Sequence, residues 1–191
     1  MTDLITKMNQ IGQSIWYDNI ERKLLEDGTL SGMVQRGEIK GITSNPSIFN
    51  QAISQSSDYG QEIRALAGKG MTRQDIYEQL VVSDIQKAAD LFRPLYEETD
   101  GADGYVSLEV SPYLAHQTAE TISEARKLWK LVDRPNLMVK IPATVEGIPA
   151  ITETIADGIN VNVTLIFGLD RYQQVMDAYL AGLEKRSAAG N

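Results

Sequence analysis

Lys140 is the strongest candidate for a catalytic residue in this sequence, because a lysine is unusual at its position. It stands near the end of residues 136–142, a run otherwise rich in leucine, methionine, valine and isoleucine, which predicts a buried β-strand. Because burial disfavours a charged ammonium group, we expect an uncharged amine, which can attack a carbonyl carbon and form a Schiff base. The alternative is a lysine on an edge strand, or one whose charged end reaches water along its apolar stem.

Polar side chains recur on one alternating face of the predicted strands. Successive residues of a strand point to opposite sides, so Leu137, Val139 and Ile141 share a face and Lys140 lies on the other. The same alternation, applied to five predicted strands, places a set of polar residues on the faces opposite the apolar ones: Asp18, Thr43, Asn45, Glu109, Lys140, Asn162 and Thr164. Ser44 is an exception, since it lies on an otherwise apolar face.

These residue types fit the handling of a polyhydroxylated substrate. The carboxylates of Asp18 and Glu109 can transfer protons, and the amides and hydroxyl of Asn45, Asn162 and Thr164 can bind substrate hydroxyl groups. A lysine charge competes with a cation for the two carboxylates, so we expect no metal and no other cofactor. The alternative is that Asp18 and Glu109 are only ion-pair partners of Lys140.

The elements that must position these residues alternate along the chain. Predicted strands cover residues 14–20, 40–45, 104–110, 136–142 and 160–167, and mostly helical segments cover 4–13, 21–34, 47–100, 115–131, 146–157 and 170–185. Helices between strands indicate βαβ units and a parallel sheet. The polar face is then the interior of a barrel; the alternative is an open sheet with one wet face.

Two local signals refine the long helical segment. Thr72 and Asp75 have the spacing of a capping box, although aspartate replaces the preferred glutamate or glutamine. An apolar stripe at helical spacing follows, from Ile76 to Phe92, and ends before Pro94.

Composition narrows the classes of partner. The formal net charge of −8 disfavours nucleic acids and anionic membrane surfaces as partners. The chain has no cysteine, and His116 is its one histidine. The side chains that form disulfides, cysteine- or histidine-rich metal sites or a serine–histidine pair are therefore absent or scarce. We interpret His116 as a structural or surface residue. The sequence shows no membrane span or secretion signal, so we expect a cytoplasmic protein with a single domain over residues 1–191.

Five motifs, in order, resemble those of the transaldolase family. They occupy residues 16–20 (WYDNI), 41–49 (GITSNPSIF), 107–112 (SLEVSP), 138–144 (MVKIPAT) and 160–167 (NVNVTLIF). The resemblance covers essentially the whole chain. It is greater to the longer transaldolases, including those fused to phosphoglucose isomerase, than to the small fructose-6-phosphate aldolases, which lack the leading segment and this context of Asp18.

The resemblance implies an α/β fold of the (β/α)8 TIM-barrel family and a metal-free reaction. In that reaction of the non-oxidative pentose phosphate pathway, a dihydroxyacetone unit moves from sedoheptulose 7-phosphate or fructose 6-phosphate to glyceraldehyde 3-phosphate or erythrose 4-phosphate. Carried over by motif, Lys140 forms the Schiff base with C2 of the donor, and Asp18 takes the proton of the C4 hydroxyl. Glu109, acting through a water beside Thr164, moves protons as the carbinolamine dehydrates.

The remaining implied roles concern the bound three-carbon unit and its phosphate. Asn45 and Asn162 hold its hydroxyls, and Thr43 and Ser44 support them. The serine and arginine residues that bind the phosphate in the family lie on a part without counterpart in this sequence. Arg171, at the start of the last predicted helix, is interpreted as a surface residue, and Ser111 receives no role.

Only about five of the eight βα units of a barrel, which typically needs ~250 residues, are predicted here. The chain therefore resembles the N-terminal portion of a transaldolase, through the fifth strand and its helix. Open sheet edges favour pairing, so we expect self-association or a complementing C-terminal segment. Two alternatives to an active transaldolase stay open: a non-catalytic fragment that needs the C-terminal part, or a fructose-6-phosphate aldolase-like activity.

Overall fold

A computed structural model describes residues 2–190, and their side chains from residue 4 onward. Within that range, five parallel strands follow one another in the sheet in chain order. They are β1 (Trp16–Asp18), β2 (Gly41–Thr43), β3 (Tyr105–Glu109), β4 (Leu137–Pro142) and β5 (Val161–Thr164). The predicted α/β class, parallel pairing and number of strands are confirmed.

Helices separate the strands. They are α1 (Thr2–Gln10), α2 (Arg22–Glu26), α3 (Thr29–Gln35), α4 (Pro46–Gln55), α5 (Gly60–Gly68), α6 (Arg73–Glu98), α7 (Thr118–Val132), α8 (Gly147–Ala156) and α9 (Leu169–Ala188). A 3-10 turn, Pro112–Leu114, precedes α7. Among these described helices, none has the length and apolar character needed to cross a membrane.

The chain divides into two compact units. Unit 1 runs through Val106 and includes Arg134–Asn136; unit 2 comprises Ser107–Asp133 and the chain from Leu137 onward. Each is described by itself below. The prediction of a single domain over residues 1–191 stays a prediction.

Unit 1 contains a buried charged cluster that joins α2 to α6. The guanidinium of Arg22 donates to Oδ1 of Asp84 from Nε at 3.0 Å and from Nη2 at 2.9 Å. It also donates to Glu62 at 2.6 Å and lies 4.3 Å from the ring centre of Tyr59. The Tyr59 hydroxyl donates to Oδ2 of Asp84 at 2.8 Å. Asp84 is completely buried, so these bonds replace the water that its carboxylate loses.

The long helix of unit 1 carries the two local features predicted for it. Its start agrees: Thr72 and Asp75 form the predicted capping box, with Asp75 donating its backbone N–H to Oγ1 of Thr72 at 3.2 Å. The apolar stripe ends before Pro94, as predicted, since the last buried residue of the helix is Phe92. The helix itself continues to Glu98, within the predicted helical segment 47–100. Pro94 lacks the backbone N–H that would donate one helix hydrogen bond, but α6 continues for about one further turn. The chain then changes direction near Gly101, whose φ is +77°.

Unit 2 repeats a strand–helix arrangement. β5 pairs parallel to β4, with Val161 beside Val139 and Val163 beside Ile141. The accompanying helices pack through Gly182 of α9, where an added Cβ would lie 2.8 Å from the side chain of Ile155. Close approach of the two helices therefore depends on glycine at this position.

β5 is shorter than predicted. The sequence predicted a strand to residue 167, but β5 ends at Thr164 because Leu165 adopts a left-handed φ of +62°. That conformation is unfavourable for a residue with a Cβ and turns the chain out of the extended path. Phe167 is consequently exposed.

Candidate active site

Lys140 lies in an interior strand and is nearly buried. β4 stands between β3 and β5 in the sheet, and Lys140 is 9% exposed. Its Nζ is 3.3 Å from Oε2 of Glu109, at the end of β3. The edge-strand alternative is therefore wrong, and the alternative of a lysine that reaches bulk water does not fit its burial. The contact between Lys140 and Glu109, which the sequence analysis considered as an ion pair, is present in the structure.

The surrounding strand explains how this lysine is held. Leu137, Val139 and Ile141 are each fully buried, and alternation places Lys140 on the opposite face. The backbone is fixed as well, since the Val110 N–H donates to the carbonyl oxygen of Lys140 at 3.1 Å. Burial of three apolar neighbours thus fixes the direction in which the amine points.

Asn162 lies next to Lys140 on β5. The two residues are partners in the parallel register, so their side chains share a face. Nδ2 of Asn162 donates to Oγ of Ser107 at 3.1 Å, and Ser107 is completely buried. This bond orients the amide beside the amine.

Ser107 was not among the residues predicted for the site. The signal was present, because Ser107 and Glu109 are two residues apart on β3 and therefore share a face. Its contact with Asn162, 55 positions along the chain, could not be derived from local pattern.

Thr164 ends β5 on the same parity as Asn162. It is the register partner of Pro142, and its carbonyl oxygen accepts from the Ala143 N–H at 2.8 Å. Its side chain is half-buried. Lys140, Glu109, Asn162 and Thr164 therefore occupy one face of unit 2, toward the carboxyl ends of their strands, the end at which barrel enzymes carry their active sites.

The other four predicted residues lie in unit 1. Asp18 is exposed at the end of β1 and is the register partner of the half-buried Thr43 at the end of β2. Ser44 follows and is buried. Asn45 precedes α4, where its Oδ1 accepts from the Ile48 N–H at 3.0 Å. Whether these residues meet the unit 2 group around one substrate stays a prediction.

Asn45 has a structural role that can be separated from the substrate-binding role predicted for it. Its side-chain oxygen caps α4, and its amide nitrogen is not part of the cap. Asn45→Asp keeps the capping oxygen and replaces the donor, so we expect the urea midpoint to stay unchanged and Schiff-base trapping by a ketose phosphate to weaken. Asn45→Ala removes both and should cost about 1 kcal/mol of stability. Trapping by Asn45→Asp at the unsubstituted rate would contradict a binding role.

Three further residues noted in the sequence lie in unit 2. His116 is exposed, and its Nδ1 is 3.1 Å from Oε2 of Glu146; this interaction lowers the pKa of the Glu146 carboxyl. Ser111 donates its backbone N–H to Glu124 at 2.7 Å. Arg171 lies in the first turn of α9. Among the described residues, no three histidine, cysteine, aspartate or glutamate side chains form a cluster able to hold a metal ion.

The chain is thus an α/β protein in which a nearly buried lysine is paired with a carboxylate and lies beside a fixed amide. The family model for transaldolase/fructose-6-phosphate aldolase matches residues 15–189. The chain belongs to this family.

Proteins named transaldolase are among its relatives. The transaldolase of Saccharopolyspora erythraea is 53% identical over 184 residues, which are 96% of this chain and 50% of the relative. Transaldolase 2 of Streptomyces avermitilis is 50% identical over 190 residues, 100% of this chain and 51% of the relative. The transaldolase of Thermobifida fusca is 50% identical over 186 residues, 97% of this chain and 50% of the relative. The chain thus spans about half the length of these curated relatives.

Proposed function

We propose that this chain carries the Schiff-base part of a transaldolase, which transfers a dihydroxyacetone unit from a ketose phosphate to an aldose phosphate. The single observation that carries the proposal is the nearly buried amine of Lys140, 3.3 Å from the carboxylate of Glu109. Membership of the family and about 50% identity to transaldolases support it.

The first steps form the covalent intermediate. The electron pair of Lys140 Nζ attacks C2 of the ketose phosphate, and Glu109, which is within reach of Nζ, takes the proton that the nitrogen then loses. The carbonyl oxygen of the donor takes up a proton to give a carbinolamine. Loss of that hydroxyl as water, with protons moved by Glu109 and a water beside Thr164, yields the protonated imine.

The imine then draws electrons from the neighbouring carbon–carbon bond. Asp18 removes the proton of the C4 hydroxyl, the C3–C4 bond breaks, and its electron pair moves to C3 and the imine as an enamine. The aldose phosphate leaves with the new carbonyl at C4. Attack of the enamine on the aldehyde carbon of a second aldose phosphate reverses these steps, so the lysine acts as both tether and electron sink.

Asn162 and Asn45 are proposed to hold the hydroxyl groups of the three-carbon unit between these steps. Asn162 is suited to this because Ser107 fixes its amide on the face of Lys140. Thr43 and Ser44, which directly precede Asn45, support its position. Pre-set hydrogen-bond donors reduce the entropy that must be lost as the substrate is oriented.

Borohydride trapping tests the function. The chain is incubated with fructose 6-phosphate and reduced, and the modified peptide is mapped by mass spectrometry. We expect a dihydroxyacetone-derived or hexose-derived adduct on the peptide containing Lys140. An adduct confined to other lysines, at a donor concentration that saturates labelling, would refute the proposal.

Glu109→Gln tests the proposed proton acceptor. The amide keeps the length of the side chain but cannot take the proton from Nζ, so we expect adduct formation to slow by roughly 10²- to 10⁴-fold. The rate is measured from the fraction trapped against time, over a range of pH. Glu120→Gln, on the exposed surface of α7, is the matched control and should trap at the unsubstituted rate. Equal rates for both variants would remove Glu109 from the mechanism.

The length of the relatives bears on one alternative, that the chain is a non-catalytic fragment. Since the chain spans about half of them, a non-catalytic piece that regains turnover only with a complementing segment would show trapping without transfer to an acceptor. Turnover by the chain alone rejects that alternative. Sugar phosphates as partners, self-association and a cytoplasmic location stay predictions.

A further inference from the structure

The segment that carries Asp18 lies between two very short elements of unit 1. β1 has three residues, and in the described sheet it pairs on one side, with β2. α2 has five residues, Arg22–Glu26, far fewer than a helix needs to be stable by itself in water. Since neither element is stable alone, the position of Asp18 depends on contacts with distant parts of the chain.

The start of α2 is capped by a residue from another helix. Glu21, at the N-cap position, makes no side-chain hydrogen bond to the helix. The Arg22 N–H donates instead to the hydroxyl oxygen of Tyr59, 37 residues away, at 3.3 Å. The same hydroxyl donates to Oδ2 of Asp84 at 2.8 Å. Tyr59 is 1% exposed, so both bonds lie in surroundings of low dielectric, which strengthen them.

The direction of these bonds is fixed by charge and burial. Burial and the charge of Asp84 raise the pKa of Tyr59, so its hydroxyl keeps its proton at neutral pH. Because that proton is donated to Asp84, the oxygen is left to accept from Arg22. The Arg22 side chain donates in turn to Oδ1 of Asp84 from Nε and Nη2. Arg22, Tyr59 and Asp84 thus form one connected unit, the Arg22 cluster.

Two further contacts restrict the same stretch of chain. Ile20, between β1 and α2, is 1% exposed. At the far end of α2, Oε1 of Glu26 lies 2.8 Å from Nζ of Lys87 in α6, although both side chains face solvent and such pairs contribute little. The backbone directly after Asp18 is therefore held most firmly at Ile20 and Arg22.

We propose that the Arg22 cluster positions Asp18, by holding the backbone from which its carboxylate projects. This inference rests on the proposed function, in which Asp18 takes the proton of the C4 hydroxyl. A proton acceptor must lie within hydrogen-bond reach of its donor, and a misplacement of about 1 Å can lower the rate by about 10²-fold. Asp18 is exposed, so packing around its own side chain does not supply this precision.

A purely structural role for the cluster leads to different expectations. If the cluster only stabilised unit 1, its loss would increase opening of the whole unit and lower every step of the reaction alike. A positioning role requires a local effect on the segment after Asp18 and a selective loss of C3–C4 cleavage. Imine formation at Lys140 precedes that cleavage, so it should be affected little.

Tyr59→Phe is the test variant, because it removes the hydroxyl and keeps the buried ring. Leu66→Ala is the control, since it removes apolar volume from the same core cluster as Tyr59 and none of these hydrogen bonds. Deletion of buried methyl groups should cost Leu66→Ala at least as much stability as Tyr59→Phe loses. Urea unfolding of both variants checks this.

The first measurement is backbone hydrogen–deuterium exchange, which does not depend on catalysis. In Tyr59→Phe, the peptide over residues 18–26 should exchange faster by about tenfold or more, because the Arg22 N–H loses its acceptor and the segment opens locally. In Leu66→Ala, the same peptide should speed up no more than the peptides of α6 do, because only opening of the whole unit increases.

The second measurement is the mass of the borohydride adduct with fructose 6-phosphate. An imine reduced before C3–C4 cleavage retains the hexose carbons, whereas one reduced after cleavage retains only the dihydroxyacetone carbons. We expect Tyr59→Phe to label Lys140 at close to the unsubstituted rate but to convert the first adduct into the second about tenfold more slowly or more. Leu66→Ala should convert it at the unsubstituted rate, and Asp18→Asn gives the limit, in which the hexose adduct accumulates.

Four results would overturn the positioning role. They are unchanged exchange of residues 18–26 in folded Tyr59→Phe, faster exchange with an unchanged rate of conversion, equal slowing of conversion in Leu66→Ala, and an unsubstituted chain that converts no faster than Asp18→Asn. Failure of the proposed function is distinct, because the unsubstituted chain then gives no adduct on Lys140. Faster exchange in Tyr59→Phe would still support the anchoring of the segment.

A second variant covers a failure of Tyr59→Phe to fold. Asp84→Asn keeps an oxygen that accepts from Arg22 and removes the carboxylate that accepts from Tyr59, so both measurements should change in the same direction. If neither variant folds, the cluster is required for folding of the whole chain, and a separable positioning role is rejected.

Discussion

Lys140→Met is expected to abolish the adduct that borohydride traps with fructose 6-phosphate. Methionine has a similar length and an apolar end, but it has no amine to condense with the ketone. Loss of a covalent nucleophile reduces turnover by on the order of 10⁴-fold or more, so trapping should fall to background. Intact mass and peptide mapping provide the measurement.

Two controls make this result specific. Lys140→Arg keeps a positive charge opposite Glu109 but supplies a guanidinium that does not form the Schiff base, so it should fold without trapping. Lys130→Met removes an exposed lysine near the end of α7 and should trap at the unsubstituted level. Persistence of the same adduct in both Lys140 variants would show that another residue is the nucleophile.

Arg22→Met is expected to give the largest loss of stability. It leaves the buried carboxylate of Asp84 without the guanidinium that donates to it twice. Removing one partner of a buried ion pair costs about 3–5 kcal/mol, read as a decrease in the free energy of urea unfolding. Arg22→Met/Asp84→Leu removes both charges and should recover much of this loss.

The destabilisation should depend on pH in a defined direction. Burial raises the pKa of Asp84, against the opposing effects of Tyr59 and Arg22. A carboxyl group whose pKa is higher in the folded than in the unfolded protein favours folding most below its ordinary pKa, and that advantage is lost as the pH rises through the folded value. Loss of Arg22 raises the folded value further, so the cost should be small in acid and grow toward neutral pH.

An exposed pair is the control for this prediction. Arg36→Met breaks the contact of Arg36 with Glu38 at 2.8 Å, where both side chains face solvent. Such pairs contribute little, so the free energy of unfolding should change within error. A loss for Arg22→Met no larger than that for Arg36→Met would show that the Arg22 cluster does not stabilise unit 1.

The buried cluster also shows what pattern analysis missed. Asp84 lies four residues after Leu80 and one before Ile85, within the buried stripe of α6. A charged residue at that spacing signals a buried partner, but nothing local identifies Arg22, which is 62 residues away. Tyr59, whose pKa is raised by burial and by the charge of Asp84, had no signal in the sequence.

The sequence by itself determined the class of fold and the direction in which its strands point their polar residues. Alternating apolar residues around Lys140 were sufficient, because a strand has a period of two and the apolar side must be buried. Helical spacing and the capping box gave α6 its start in the same way. These signals are local, and each depends on neighbours within about one turn or one strand.

Only the tertiary structure decided which groups touch. The approach of Glu109 to Lys140 and the bond from Asn162 to Ser107 depend on strand register, and the early end of β5 depends on one backbone angle at Leu165. Contacts between distant segments are set by how the elements pack as a whole. The exposure of apolar residues on α9, such as Leu180 and Leu183, is of the same kind, since these residues could be identified in the sequence but their exposure could not.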